Sequence, residues 1–113
     1  METVEGVTHL NVEEAHDQIE KKHTHLIDVR NLDEVEQVAI PGSIRIPLPE
    51  LSEESLEDHH LGAEHKNEPI VLHCAKGGRC HTAAKMLMSW GYTNVMSLNA
   101  SLQDWKDAGY TVE

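Results

Sequence analysis

Short apolar runs alternate with helical segments along this chain, and that alternation limits the folds open to it. Thr8-His9-Leu10 reads as a strand. Asn11 then caps a helix to about Lys22, with Glu14 three residues on as in a capping box. Leu26-Ile27-Asp28-Val29 reads as a buried strand, and Asn31 caps a second helix over Leu32 to Val38. Pro41-Gly42 marks a turn, and Ile44-Arg45-Ile46 is a strand ended by Pro47. Pro49 to about Asp58 reads as an acidic helix with Leu51 and Leu56 inward, followed by a polar loop from Glu64 to Glu68. Ile70-Val71-Leu72-His73 is the most apolar strand and belongs in the middle of the sheet. Arg79 to Trp90 is a helix stopped by Gly91, and Asn94 to Leu98 is another strand. Ser101 to Ala108 is a helix stopped by Gly109, with Tyr110-Thr111-Val112 as a terminal strand. Strands alternating with helices predict an α/β fold in three layers, with a central parallel five-stranded sheet covered by helices on both faces. In such sheets ligands bind at the carboxyl ends of the strands.

With 113 residues, one domain over residues 1–113 is expected, its core starting at about residue 7. The formal net charge of −11 argues against a nucleic-acid or anionic membrane surface. An anion site here must be local, because exposed charges are largely screened beyond about 10 Å at moderate salt. No apolar stretch approaches the roughly 20 residues that span a bilayer. The acidic start, Met-Glu-Thr-Val-Glu-Gly, lacks a signal-peptide core. Two cysteines six positions apart do not make a secreted disulfide framework. The cytoplasm is therefore the expected compartment, or the periplasm if a signal peptide has been removed.

The chemistry concentrates in His73-Cys74-Ala75-Lys76-Gly77-Gly78-Arg79-Cys80, between the central strand and the next helix. Free cysteine has a pKa near 8.5, so only about 3% is thiolate at pH 7. Lowering the pKa by two units would raise that to roughly 75%, for about 2.7 kcal/mol of differential stabilisation. A helix N-terminus, inward loop amides and a nearby cation supply this kind of stabilisation. Gly77 and Gly78 suit a loop that curls around one sulfur. Spacing separates two thiolate chemistries. Cys-dependent phosphatases place five residues between Cys and Arg, whereas here four lie between Cys74 and Arg79. The smaller cradle favours one added sulfur atom over a phosphoryl group, so a small phosphatase or arsenate reductase is the weakest reading.

Cys74, Gly77 and Arg79 match the Cys-x-x-Gly-x-Arg signature of the rhodanese family, which this chain resembles as a single-domain sulfurtransferase. Leu26-Ile27-Asp28-Val29-Arg30 with Glu34, then Ile40-Pro41-Gly42-Ser43-Ile44-Arg45-Ile46-Pro47, look like its N-terminal signature. Trp90-Gly91-Tyr92 and Trp105-Lys106-Asp107-Ala108-Gly109 look like later landmarks. Two departures are Val38-Ala39, where the family usually has Gly-His, and Ala100-Ser101, where it usually has Gly-Gly.

The resemblance implies a double displacement through a persulfide on Cys74, from a donor such as thiosulfate to cyanide or a thiol. The backbone amides of Ala75, Lys76, Gly77, Gly78, Arg79 and Cys80 would bind the anionic sulfur. Lys76 would face the donor's charge, Arg79 would brace the loop against Glu34, and Asp28 and Arg30 would form a structural ion pair. No cofactor, metal, nucleic acid or membrane is implied. The rival reading is a carrier that holds the persulfide for a thiol protein. Cys80 is either a resolving thiol or a small residue at the helix start; the second is favoured, because the cradle is expected to aim the two sulfurs apart. His59, His60 and His65, and the pair His23 and His25, lack zinc-ligand spacing. His73 and His81 flank the loop, and strand alternation turns His73 away from its neighbour's face.

Overall fold

The computed structural model describes residues 2–4, 6–22, 24–30, 39–74, 78–98, 100 and 102–112. The strands are β1 (Glu2–Val4), β2 (Val7–Leu10), β3 (His25–Asp28), β4 (Ile44–Arg45), β5 (Ile70–His73) and β6 (Val95–Leu98). The helices are α1 (Val12–Lys22), α2 (Glu53–Asp58), α3 (Gly78–Ser89) and α4 (Leu102–Asp107), with 3-10 turns at Leu48–Glu50 and Ala63–His65. The strands form one sheet in the order β1-β2-β6-β5-β3-β4. β2 through β6 are all parallel, as expected, and β1 is added antiparallel on the β2 edge. The helix expected over Leu32 to Val38 lies outside the described residues.

Alternation along the strands divides the core between two faces. Ile27, Ile70, Leu72 and Val95 pack with Leu56, Ala83, Ala84 and Leu87 under α2 and α3. Leu10, Leu26, Val71, Met96 and Leu98 pack with Ala15 and Trp105 under α1 and α4. All four residues of β5 are buried, which fits the most apolar strand to the middle of a sheet covered on both sides. Full burial of a side chain such as Leu87 contributes about 1.5–3 kcal/mol. Of the residues that depart from the family pattern, Ala39 is buried and Ala100 packs on the α4 side, and Val38 and Ser101 lie outside the described residues.

The helix starts follow from short polar side chains. The Asn11 side chain accepts from the Glu14 N–H at 2.8 Å, and the Glu14 carboxylate accepts from the Asn11 N–H at 3.0 Å. This is the expected capping box. The acidic helix starts later than expected, at Glu53, because Ser52 takes the cap. Ser52 and Ser55 exchange side-chain-to-backbone hydrogen bonds of 2.9 and 3.0 Å, and Pro47 to Glu50 closes its own 3-10 turn first.

Three helices end in the same way. In each, one N–H bonds back five residues and the preceding N–H bonds back three, the Schellman pattern. These pairs are Tyr92 to Leu87 with Gly91 to Met88, Tyr110 to Trp105 with Gly109 to Lys106, and Leu61 to Leu56 with His60 to Glu57. The residue between must be left-handed. Gly91 (φ 94°) and Gly109 (φ 89°) adopt this freely, whereas His60 (φ 63°) does so against its Cβ. His60→Gly should therefore raise stability by about 0.5–1 kcal/mol, once the extra freedom of glycine in the unfolded chain is counted. Urea denaturation would measure it, and a lower midpoint would contradict it.

The strand expected at Tyr110 to Val112 is not formed. Trp105 Nε1 donates to the Thr111 carbonyl at 3.0 Å, and the Tyr110 ring stacks on His16 with centroids 3.8 Å apart. The tail is thereby held on the helical layer rather than at the sheet edge. β1 occupies that edge instead, a strand that its acidic sequence concealed.

Candidate active site

The chain leaves β3 toward β4 and leaves β5 toward β6, so its connections diverge between β3 and β5 at their carboxyl ends. Such a divergence opens a crevice. Asp28 and His73 are register partners there, and the Val29 N–H extends the ladder to the His73 carbonyl at 2.9 Å. Cys74 follows directly, fully buried, on the face of Ile70 and Leu72 that α3 covers. His73 falls on the opposite parity, with Val71, and is buried on the other face.

Ala75, Lys76 and Gly77 lie outside the described residues, as does Glu34. On the far side of that loop α3 begins at Gly78, one residue earlier than expected. Its N-terminus thus stands at the Cys74 end of the sheet, where the helix dipole and unpaired N–H groups favour an anion. Arg79 is half-buried and engaged with neighbouring groups.

Asp28 and Arg30 form a compact buried unit. The guanidinium donates Nε–H to both carboxylate oxygens at 3.0 Å and a second N–H to Oδ2 at 2.7 Å. The Arg30 backbone N–H donates to Oδ1 at 3.0 Å. Side-chain exposure is 4% for Arg30 and 0% for Asp28. A bidentate pair with the carboxylate further satisfied by backbone is the arrangement that makes charge burial tolerable.

Cys80 is fully buried in the core cluster that also holds Cys74. Cys80 is the third helical residue, and a helical side chain leans back toward the N-terminus, here toward the strand end. Its thiol is pushed far above the ordinary cysteine range, first by donating to Cys74, then by burial and by the charge of Cys74. Ser97 pulls the other way, by less. Both cysteines are free thiols.

Sequence reasoning missed two nearby residues. Ser97 pairs in register with Leu72, which places it on the face of Cys74 and Cys80. His9 on β2 stacks on His81 of α3, with centroids 5.3 Å apart and ring nitrogens 3.3 Å apart. Either could be found from strand parity, but only once the order of strands is known.

His25 bonds to Glu68 at 2.7 Å, and His65 bonds to the second oxygen of the same carboxylate. These bonds, that of His25 first, hold the half-buried Glu68 carboxyl below its ordinary range. A depressed carboxyl pKa stabilises the fold above the unfolded value of about 4.3, and this contribution is lost as pH falls through the lowered folded value. Glu68→Gln should therefore be less stable than the natural chain near neutrality and converge with it in acid. A constant gap across that range in urea denaturation would contradict this.

A buried cysteine at the carboxyl end of a central parallel strand, facing a helix start, has counterparts among known proteins. Residues 11–108 match the model of the rhodanese-like domain. The chain belongs to the rhodanese family. It is 36% identical over 89 residues to a rhodanese domain-containing protein of Drosophila melanogaster, covering 72% of this chain and 80% of that one. It is 30% identical over 81 residues to a candidate sulfur carrier protein of Bacillus subtilis, covering 72% of this chain but only 40% of the relative. The thiosulfate sulfurtransferase GlpE of Shewanella oneidensis is 27% identical over 100 residues, covering 88% of this chain and 93% of that one. Among solved structures, a single-domain sulfurtransferase of Saccharomyces cerevisiae superposes with a TM-score of 0.73 at 24% identity, covering 96% of this chain and 95% of that chain. That likeness establishes the rhodanese fold. Among the described residues, no helix is long and apolar enough to cross a membrane.

Proposed function

We propose that this rhodanese is a sulfurtransferase that moves a sulfane sulfur through a persulfide on Cys74, the whole chain acting as one domain. The observation that carries the reading is the placement of Cys74, fully buried at the crevice between β3 and β5 and facing the start of α3. With thiosulfate, the Cys74 thiolate attacks the outer sulfur. A new S–S bond forms, the bond to the inner sulfur breaks with its electron pair, and sulfite leaves. The persulfide keeps one negative charge. Cyanide or a thiolate then attacks the terminal sulfur, leaves as thiocyanate or as a persulfide, and returns the Cys74 thiolate.

Backbone amides of Ala75 to Cys80 would hold the anionic sulfur, with Lys76 facing the donor and Arg79 bracing the loop with Glu34. The Asp28–Arg30 pair supports the strand end beneath. A reducing compartment such as the cytoplasm keeps both cysteines as thiols.

A second reading, a persulfide carrier for a thiol protein, is supported by the Bacillus subtilis relative named as a candidate sulfur carrier. Intact mass after exposure to thiosulfate tests what the two readings share. One added sulfur atom on the Cys74 peptide is expected, and its absence with several sulfane donors would overturn both. Multiple turnover with cyanide then favours the transferase. Stable loading discharged only by a protein thiol favours the carrier.

A further inference from the structure

We propose that His9 and His81 form a metal site, a pair of imidazoles that chelates one borderline divalent cation such as Zn²⁺ between β2 and the first turn of α3. The inference is independent of the sulfur chemistry proposed above.

The first observation is the contact itself. His9 Nε2 and His81 Nδ1 stand 3.3 Å apart, and the ring planes lie within 10° of parallel. The nitrogens are closer than the centroids, which are 5.3 Å apart, so the rings meet at their nitrogen-bearing edges. A shared proton at this distance makes a long bond, because N–H donors favour acceptors at about 2.7–3.2 Å. A tetrahedral ion bound at about 2.0–2.1 Å, in contrast, holds two ligand nitrogens about 3.3 Å apart. The spacing of this pair therefore fits a shared ion.

The second observation is how the fold fixes the two ligands. His9 pairs in register with Ser97 of β6, and Ser97 with Leu72 of β5, which places His9 on the sheet face that α3 covers. His81 is the fourth residue of α3. Ligands on a strand and a helix are held more precisely than ligands on loops. Both residues are half-buried, so water and ions reach the ring edges while the backbone stays fixed. The two are 72 positions apart in the chain, and no ligand spacing in the sequence joins them.

The third observation is the donor set. Imidazoles suit Zn²⁺, Ni²⁺ and Cu²⁺, whereas Mg²⁺ and Ca²⁺ take oxygen ligands. Among the described residues, no three His, Cys, Asp or Glu side chains gather into a group that could hold an ion. Water completes the coordination of this two-histidine site, and the ion exchanges freely. The existing hydrogen bond uses one N–H. On binding, that proton moves to the far nitrogen of its own ring, and each near nitrogen gives a lone pair to the ion. An ion there ties β2 to the turn of α3 that follows the Cys74 loop.

The test is a titration of the natural chain, His9→Asn and His81→Asn with Ni²⁺, read by NMR on the histidine ring protons. The single variants assign the two signals. In the natural chain, the His9 and His81 signals should respond together, at Ni²⁺ concentrations at least about tenfold below those that move the exposed His59. Each single variant should weaken the response of the remaining imidazole at least about tenfold, because the second ligand no longer acts at high effective concentration. A response of His9 and His81 only at the concentration that moves His59 would mean an adventitious ion only, and would overturn the proposal. An unchanged Ni²⁺ affinity of His9 in His81→Asn would also overturn it and reduce the pair to a hydrogen bond. The His25 and His65 signals without Ni²⁺ check that each variant is folded. If one variant does not fold, the natural chain and the other variant decide. Sulfur transfer has no part in this readout, so its failure would count against the function proposed above and not against this site.

Discussion

Cys74→Ser is expected to lower sulfur transfer by at least about a thousandfold, upwards of 4 kcal/mol in the barrier, while the chain stays folded. A serine hydroxyl is neutral at pH 7 and lacks the low-lying, polarisable anion that attacks a sulfur atom. Among the described residues, nothing else at the crevice replaces it. Cys80 is the second thiol in the same cluster, and its surroundings keep it protonated. The fold should tolerate the change, since a hydroxyl replaces a buried thiol of similar shape beside a hydrogen-bonding neighbour. A destabilisation of about 1 kcal/mol is the scale for such an exchange. Thiocyanate formation and intact mass after thiosulfate measure the first effect, and thermal unfolding the second. Transfer retained by the folded serine variant would remove Cys74 from the mechanism.

Asp28→Ala is expected to cost about 3–5 kcal/mol of folding stability, a large share of the 5–15 kcal/mol typical of a domain. The loss is large because it is not the value of one contact. Arg30 remains 4% exposed, and its guanidinium and backbone N–H lose the carboxylate that they share. Asp28→Asn should cost less, since an amide oxygen can still accept from the backbone N–H. The joint change Asp28→Leu with Arg30→Met should recover much of the loss, because removing both partners avoids the lone buried charge. Urea midpoints of the four chains decide this. A drop below about 1 kcal/mol in Asp28→Ala would show that the pair is better solvated than its burial indicates. Since Asp28 sits beside His73, one residue from Cys74, the unstable variant should also bind iodoacetamide at Cys74 less selectively against other thiols.

Much of this molecule could be read before any coordinates. Ile70 to His73 is apolar throughout because helices cover both faces of β5, and that continuous run is what places it centrally. Asn11 with Glu14, and Gly91 or Gly109 after a helix, are local devices whose partners lie within a few residues. Where local signals misled, a nonlocal partner had taken the segment. The Thr111 carbonyl went to the Trp105 indole, so the last residues joined no strand. β1 gained its partners from β2, although Val4 alone was too little to mark it as a strand.

The site divides along the same line. Cys74 before glycines and a helix, and the four-residue spacing to Arg79, are facts of covalent order. From them follows a thiol between the end of a central strand and the start of a helix. Which groups that sulfur touches is a fact of register and helix phase. Ser97 reaches the site because β6 lies beside β5 with Ser97 opposite Leu72. Cys80 joins the cluster of Cys74 because α3 starts at Gly78 and turns its third residue back over the strand end. Sequence separation carries neither, since a shift of one residue in register or helix start moves a side chain to another face. The chain order thus determined the candidate thiol and the family it belongs to, and the tertiary structure alone decided which side chains surround that thiol, because that depends on strand order and register across the sheet.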